Sequence, residues 1–326
     1  MKIRVSAVVI VLAAAVIGIG GYLIFASQFA PKNNSIIVIP KTIDPHVEFW
    51  QVLNQGVFAA AKEYNAEIKI VGTASESQIE EQIKLVEQAI AEKPKAIILA
   101  ATDYNRLVPV AQRAIDAGIT LITVDSGLEG GVSASLIATD NYAAGRKAVE
   151  TMKGYVQGAA TYAIVIFVKT SNTQMDRENG VRDSLKGETS VKLLDTLYSN
   201  GSEDKAYELT KELLREHSEI RGIFGLNEPS TMGAARALKE LDPDRAIKLV
   251  GFDSSMNEIS FLEAGILQGT VVQKPFNMGY LAVKTALQAH RGETVKRKMD
   301  TGSEVITKEN MYTNENQKLL FPFVGK

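Results

Sequence analysis

The sequence contains no cysteine. Disulfide bonds, thiolate metal sites and a cysteine nucleophile are therefore excluded, and so is the lipid-modified cysteine that often tethers exported bacterial proteins. The three histidines, His46, His217 and His290, lie far apart and show no metal-ligand spacing. A strong charge of one sign is also missing, since the formal net charge is -2 and no basic cluster occurs outside the N-terminus. We therefore predict no metal site and no nucleic-acid partner.

Motifs of common enzymes and cofactor-binding proteins are absent as well. The sequence has no G-x-S-x-G elbow, no phosphate-binding P-loop and no G-x-G-x-x-G opening a helix after a strand. No nucleophile with a neighbouring base is visible. We therefore expect neither an enzyme nor a bound cofactor.

The N-terminus carries the one long apolar run. Residues 5–26 form 22 positions without a charge, and at about 1.5 Å per residue such a helix spans roughly 33 Å, close to a bilayer core of about 30 Å. Lys2 and Arg4 precede the run, which places the N-terminus in the cytoplasm and the remainder outside. A cleaved signal peptide is the alternative, although no clear A-x-A site follows the run. We predict that residues 1–34 form a cytoplasmic stub, a single transmembrane anchor and a linker.

From residue 35 onward, short apolar runs alternate with amphipathic segments. Runs at 35–39, 96–100, 120–124 and 247–252 read as strands, and segments such as 49–64 have helical spacing. Strands that alternate with helices of this length predict an α/β fold with parallel sheets.

The two halves of this series match each other. The first half closes on a strand that ends in Val124-Asp125-Ser126, and the second on one that ends in Phe252-Asp253-Ser254. An internal match on this scale predicts two similar lobes. Ligands of open α/β sheets bind beyond the carboxyl ends of the strands, so Asp125 and Asp253 are expected on opposite walls of one cleft.

A family resemblance rests on an ordered set of short segments. They are Phe49-Trp50, Ala101-Thr102-Asp103, Val124-Asp125-Ser126, Ile137-Ala138-Thr139-Asp140-Asn141 with Gly145, Asn227-Glu228, Val250-Gly251-Phe252-Asp253 and Val272-Gln273-Lys274-Pro275. In this order and spacing, the chain from residue 35 resembles the type 1 periplasmic sugar-binding proteins of the ribose- and galactose-binding kind.

The resemblance implies two Rossmann-like, doubly wound lobes that close on a ligand by a hinge. Three crossovers between the lobes are expected, near Thr139, Gln273 and Gly302. The N-terminal lobe is then 35–139 plus 274–302, and the C-terminal lobe 140–273 plus 303–326.

A sugar offers an apolar C–H face and a rim of hydroxyl groups, so its site needs aromatic rings and planar polar groups. Carboxylates accept hydrogen bonds, while Asn and Gln both donate and accept. The predicted ligand-binding residues are Phe49, Trp50, Asp103, Asp125, Ser126, Met175, Arg177, Asn227, Phe252, Asp253 and Gln273. Structural alternatives stay open: core packing for one aromatic residue, helix capping for Asp125 and Asp253, and a solvent-facing strand end for Gln273.

Three positions depart from the family pattern. Ser126 and Met175 stand where ribose binders carry Arg, and Ala100 stands where they carry Asn, which puts ribose itself in doubt. Arg177, two residues after Met175, either replaces the missing guanidinium or forms a salt bridge on its own helix. The segment 41–46 precedes the aromatic pair and is a candidate to close over the cleft.

The resemblance implies a binding protein that captures a monosaccharide outside the cytoplasm for the permease of an ABC-type sugar importer. The alternative is a membrane-tethered sugar sensor that docks on the extracellular domain of a histidine kinase or similar receptor. The membrane helix fits both hypotheses, because a tether raises the effective concentration near any membrane partner.

Overall fold

A computed structural model describes residues 35–321. The predicted anchor at residues 5–26 and the linker that follows lie outside the described residues. Among residues 35–321, no helix combines the length and apolar character needed to span a membrane.

Thirteen strands and ten α-helices alternate along the described residues. The strands are β1 (Ser35–Ile39), β2 (Glu67–Ile70), β3 (Ala96–Leu99), β4 (Thr120–Val124), β5 (Ser135–Ala138), β6 (Ala160–Ile166), β7 (Val191–Leu193), β8 (Leu197–Tyr198), β9 (Ile220–Gly225), β10 (Lys248–Phe252), β11 (Gly269–Val272), β12 (Lys298–Asp300) and β13 (Glu304–Thr307). The helices are α1 (Glu48–Tyr64), α2 (Ile79–Ala91), α3 (Val108–Asp116), α4 (Asn141–Tyr155), α5 (Asn172–Leu185), α6 (Glu203–Glu216), α7 (Glu228–Leu241), α8 (Met256–Glu263), α9 (Pro275–His290) and α10 (Asn314–Leu320).

The strands form two sheets of the same topology. The first has the order β12-β5-β4-β3-β1-β2, and the second β13-β11-β10-β9-β6-β7, with β8 paired to β6. Each sheet therefore places its strands in the order 2-1-3-4-5 of the doubly wound fold. All pairs are parallel except β13 against β11. The prediction of an α/β fold with two similar lobes is confirmed.

Helices cover both faces of each sheet. Helices α1 and α9 pack on one face of the first sheet, and α2 and α3 on the other. In the second sheet, α4 and α5 lie on one face and α6, α7 and α8 on the other. Because the central strands are buried on both faces, their sequences are continuous apolar runs rather than alternating ones. We call each sheet with its helices the first lobe and the second lobe.

The chain passes between the lobes three times. These passages lie between β5 and α4, between β11 and α9, and between β12 and β13. The predicted crossovers near Thr139, Gln273 and Gly302 fall in these three segments. The proposed division of the chain remains 35–139 plus 274–302 and 140–273 plus 303–326.

Close packing of α9 on α1 fixes the helix that begins at the aromatic pair. A Cβ atom added at Gly56 of α1 would lie 2.0 Å from the carbonyl oxygen of Phe276, and one added at Gly279 of α9 would lie 2.0 Å from that of Leu53. Both contacts are to backbone atoms, which cannot yield without moving a helix. The two glycines therefore set the distance between α1 and α9.

Replacing Gly279 by Ala should destabilise the protein by about 1–3 kcal/mol, the usual range for overpacking a well-packed core. Urea unfolding followed by circular dichroism measures this change. Gly154 of α4 is the matched control, because a Cβ there meets no atom within 4 Å. Gly154→Ala should be neutral or stabilising by up to about 1 kcal/mol; equal stability of the two variants would contradict the packing argument.

Candidate functional site

The two strand-end aspartates occupy equivalent places in the two lobes. Asp125 follows β4 and Asp253 follows β10, and each of these strands is number 4 in the 2-1-3-4-5 order of its sheet. Their backbones adopt left-handed conformations, with φ of 60° and 77°, and both residues are buried. Such conformations cost a non-glycine residue about 1–3 kcal/mol and are concentrated at functional sites. The backbone therefore points to a site where both strands end.

A partly open cavity of about 30 Å³ lies between the lobes at these strand ends. Its walls come from both lobes. The lining residues are Lys41, Val47, Phe49, Trp50, Glu76 and Asp125 from the first lobe, and Phe167, Thr173, Arg177, Asn227, Glu228, Pro229, Asp253 and Gln273 from the second.

Asp253 is held by donors from its own lobe. Its Oδ2 accepts a hydrogen bond from the backbone N–H of Glu228 at 3.0 Å, and its Oδ1 accepts one from Gln273 Nε2 at 2.8 Å. Burial raises the pKa of Asp253, while the nearby Arg177 acts against that rise. Gln273 Oε1 is buried without a hydrogen-bond partner among the described residues. The pair therefore presents a fixed carboxylate beside an amide oxygen with an open bonding position.

Arg177 lines the cavity from the second lobe and is almost fully buried. Its Nε donates to Asn141 Oδ1 at 2.8 Å and one terminal nitrogen donates to the Leu226 carbonyl at 2.7 Å. The guanidinium carbon stacks 4.4 Å from the centre of the Phe252 ring. Burial lowers the pKa of Arg177, and Asp253 is the main group acting in the opposite direction. Of the two alternatives for Arg177, the structure favours the position at the cleft.

Lys41 is a cavity residue that the sequence reasoning did not identify. Its ammonium lies 2.7 Å from Asp125 Oδ2 in the first lobe and donates to Thr173 Oγ1 in the second at 2.9 Å. The same ammonium lies 5.0 Å from the centre of the Phe167 ring, a cation–π distance. Its position two residues after the end of β1 was the available signal. Lys41 is the member of the predicted rim segment 41–46 that lines the cavity.

Glu76 is a second lining residue that sequence reasoning missed. Its Oε1 accepts a hydrogen bond from Trp50 Nε1 at 3.0 Å, and Trp50 packs edge-on against Phe49 with ring centres 5.0 Å apart. Burial raises the pKa of Glu76, while Lys41 acts against the rise. The hydrogen bond fixes the indole ring, and both aromatic residues of the predicted pair reach the cavity.

Seven of the predicted ligand-binding residues line the cavity: Phe49, Trp50, Asp125, Arg177, Asn227, Asp253 and Gln273. Asn227 also caps α7, since its Oδ1 accepts from Ser230 N–H at 3.2 Å. Asp253 is not the N-cap of the following helix, because Ser255 takes that role in α8 with a capping box.

The other four predicted residues lie outside the cavity lining. Asp103 Oδ1 accepts from the N–H groups of Asn105 and Arg106 and thus stabilises its own turn. Ser126 Oγ lies 3.4 Å from Ser171 Oγ of the second lobe, and Phe252 lies beneath Arg177.

The remaining one, Met175, is half-buried in α5. It precedes Arg177 by two positions, which is about 200° around a helix. The structure therefore gives the cleft position to Arg177 rather than to Met175.

Stability should fall as the pH rises, because burial raises the pKa of four carboxyl groups around the cleft: Glu76, Glu228, Asp253 and Glu258. Each group binds its proton more tightly when folded. Its stabilising contribution is therefore complete below its ordinary pKa, 4.5 for Glu and 3.8 for Asp, and is lost as the pH rises through the raised value.

We therefore expect the unfolding midpoint of the protein without added ligand to be higher near pH 5 than near pH 8. A thermal melt across this range measures it. Glu258→Gln should reduce the slope, because this variant removes one of the buried ionisable groups. Glu315→Gln, at an exposed residue of α10, should keep the slope of the unmodified chain; a flat profile in that chain would contradict the argument.

Known proteins share both the sequence pattern and the fold. The profile of a family described as a periplasmic binding protein domain matches residues 36–294. The D-ribose/D-allose-binding protein of Pseudomonas aeruginosa is 24% identical over 289 residues, which cover 85% of this chain and 90% of that protein.

Solved structures agree with this match. An ABC transporter solute binding protein from Agrobacterium vitis with bound D-fucose superposes with a TM-score of 0.85 at 33% identity, covering 88% of this chain and 99% of that one. A sugar transporter structure from Clostridium phytofermentans gives a TM-score of 0.77 at 39% identity, covering 85% and 100%. These relatives are named as binding and transport proteins, which confirms the prediction that the chain is not an enzyme. The chain belongs to the periplasmic binding protein family.

Proposed function

We propose that this protein captures a monosaccharide between its two lobes by hinge closure and delivers it to an ABC-type sugar importer outside the cytoplasm. The observation that carries the proposal is the pair of buried strand-end carboxylates, Asp125 and Asp253, held in left-handed conformations on opposite walls of one cavity. Family membership, and relatives named for ribose, allose and D-fucose, support it.

The chemistry of the lining suits a sugar. Trp50 and Phe167 supply aromatic surface from the two lobes for the C–H face of a pyranose or furanose ring. Asp125 and Asp253 accept bonds from hydroxyl groups, and Gln273 has an open acceptor position. A site of this kind rejects analogues that lack the hydroxyls, because buried polar groups would be left unpaired.

Binding requires the lobes to move. A water molecule needs roughly 10–15 Å³ of such cavity volume, so the cavity of about 30 Å³ between the lobes is far too small for a monosaccharide. We infer that sugar enters while the lobes are apart and that contacts to both walls then favour the closed form. A ligand shifts this equilibrium only by its differential affinity for the two forms.

Lys41 is our candidate to replace the guanidinium groups that ribose binders carry. Its ammonium reaches both walls, toward Asp125 and Thr173, and donates up to three hydrogen bonds. A sugar hydroxyl that takes the place of one of these partners receives a charged donor, which the Ser126 hydroxyl cannot supply. The site is therefore proposed for a monosaccharide other than ribose.

The membrane location is part of the proposal. Residues 5–26 have the length and apolar character of a span, and Lys2 and Arg4 orient the binding lobes to the extracytoplasmic side. Docking on a histidine kinase is the alternative use of the same tether. The relatives named above include a binding protein of an ABC transporter, and this supports delivery over sensing.

Asp253→Asn should weaken sugar binding at least tenfold, about 1.4 kcal/mol, because the carboxylate loses charge and one acceptor. The affinity is measured by calorimetry with the sugar that gives the largest thermal shift in a panel of pentoses and hexoses. Asp103→Asn is the control, since Asp103 is also buried near a strand end but lies outside the cavity lining. Unchanged affinity in Asp253→Asn would exclude this residue as a sugar contact.

The panel tests the substrate class itself. A ligand at about 100 times its dissociation constant adds roughly 2.7 kcal/mol of stability, an easily measured rise in the unfolding midpoint. We expect one or two free monosaccharides to stabilise the full chain. Stabilisation by amino acids or sugar phosphates alone would contradict the proposed substrate class.

The anchor is tested by fractionation. The full chain expressed in a bacterial host should sediment with membranes, resist extraction by high salt and dissolve in mild detergent. The double substitution Leu12→Arg and Val16→Arg should release the chain from the membrane, because a charge at the centre of a span costs about 2.5–3.5 kcal/mol. A wild-type chain that is shortened and recovered free of membrane would favour the cleaved signal peptide.

A further inference from the structure

Two glutamates join the lobes through the N-termini of helices. Glu228, the first residue of α7 in the second lobe, accepts hydrogen bonds from two backbone N–H groups of α1 in the first lobe. The N–H of Glu48 donates to Glu228 Oε1 and that of Phe49 donates to Oε2, both at 3.0 Å. Each oxygen of the Glu228 carboxyl group thus receives one donor from the opposite lobe, and these two hydrogen bonds act against the rise in the pKa of Glu228 that burial causes.

Helix α1 needs these acceptors. The first N–H groups of a helix have no partner within the helix, and the N-cap residue of α1, Val47, offers no side-chain hydrogen bond. The positive end of the helix dipole also favours a negative charge at this place. Glu228, which is only 4% exposed, therefore completes a helix that belongs to the other lobe.

A second contact runs in the opposite direction. The carboxylate of Glu48, the first residue of α1, accepts from the N–H of Met256 at the start of α8, with both oxygens at 3.3 Å. Each lobe thus places a glutamate on a helix N-terminus of the other. Glu48 does not belong to the cavity lining, so this contact is separate from any sugar contact.

The contacts connect with the binding residues on both sides. Phe49 and Trp50 follow Glu48 directly in α1, and the N–H of Glu228 donates to Asp253. A chain of hydrogen bonds therefore runs from Gln273 through Asp253 and Glu228 to the start of α1. The links among Gln273, Asp253 and Glu228 lie within the second lobe, and only the link from Glu228 to α1 joins the two lobes. Closure therefore completes the chain at the helix that carries the aromatic pair.

We propose that Glu228 and Glu48 form a clasp that stabilises the closed form independently of sugar and thereby sets the affinity for sugar. The effect on sugar affinity rests on the proposed function, and the stabilisation of the closed form does not. Apparent affinity scales with the fraction of protein in the binding-competent form. If that form is the closed one, a clasp that raises its population several-fold tightens sugar binding by the same factor.

The clasp is tested first without sugar. Because the chain has no cysteine, Lys84→Cys in α2 and Lys205→Cys in α6 place two dyes on exposed positions of opposite lobes. Single-molecule energy transfer in the full chain, purified in mild detergent, then reports the distance between the lobes. Glu228→Gln keeps the side-chain volume but sets an NH₂ donor against a backbone N–H, so we expect a lower population of the short-distance state.

Glu48→Gln should shift the same distribution in the same direction, and its partly exposed position makes a folding defect a poor explanation. Glu315→Gln, at an exposed first-turn acid of α10, is the matched control and should leave the distribution unchanged. Identical sugar-free distributions in the parent, Glu228→Gln and Glu48→Gln chains would overturn the clasp.

Sugar titrations separate the clasp from a direct sugar contact. We expect both clasp variants to weaken binding about three- to thirtyfold with the ranking of sugars unchanged. A changed ranking in Glu228→Gln together with normal affinity in Glu48→Gln would make Glu228 a sugar contact and overturn the proposal. A distance shift in a chain that binds no sugar would keep the clasp and refute the sugar-binding function.

Discussion

Buried charge between the lobes is the constraint on which the rest of the structure depends. Six ionisable residues there are each less than a tenth exposed: Lys41, Glu76, Asp125, Arg177, Glu228 and Asp253. A charge taken out of water is costly unless a partner or a dipole compensates it. Acidic groups outnumber basic ones in this set, and the raised pKa values of Glu76, Glu228 and Asp253 show that their burial is only partly compensated. The two cations, the N-terminus of α1 and backbone N–H groups supply the compensation, and the duplicated fold brings them to the cleft from both sides.

The sequence allowed the architecture to be predicted because its signals are local. Each buried parallel strand is a continuous apolar run, and the binding position is the residue that follows it, as in Val124-Asp125 and Phe252-Asp253. The repeated spacing of such runs predicted two lobes, which the identical strand orders confirm. The residue types alone left two roles open for Arg177. The structure shows that its position on α5 brings it to the cleft.

The missed residues depend on contacts between distant parts of the chain. Lys41 meets Thr173 across 132 positions, and Glu228 meets α1 across 180. The local sequence does not set Glu76 or Glu228 apart from surface charges, and for Lys41 it offers only the position after β1. Lys41 and Glu228 find their partners in the opposite lobe, and Glu76 meets Trp50 of its own lobe across 26 positions. Asp103 shows the opposite case. Its residue type and its place after a strand matched the family resemblance, but its carboxylate accepts hydrogen bonds from the nearby N–H groups of Asn105 and Arg106.

The packing of α9 on α1 has a consequence for how the chain folds during its synthesis. The first lobe needs α9, and the ribosome makes this helix only after all strands of the second sheet except β13. Contacts between α1 and α9 are therefore distant in sequence, and that of Tyr64 with Tyr280 spans 216 positions. Contacts this distant slow folding, because a long loop must close before they form. The emerging chain thus keeps its first lobe incomplete for most of translation. Protein-conducting channels of membranes pass chains that have not yet folded, and a first lobe that completes its core late is compatible with such a route.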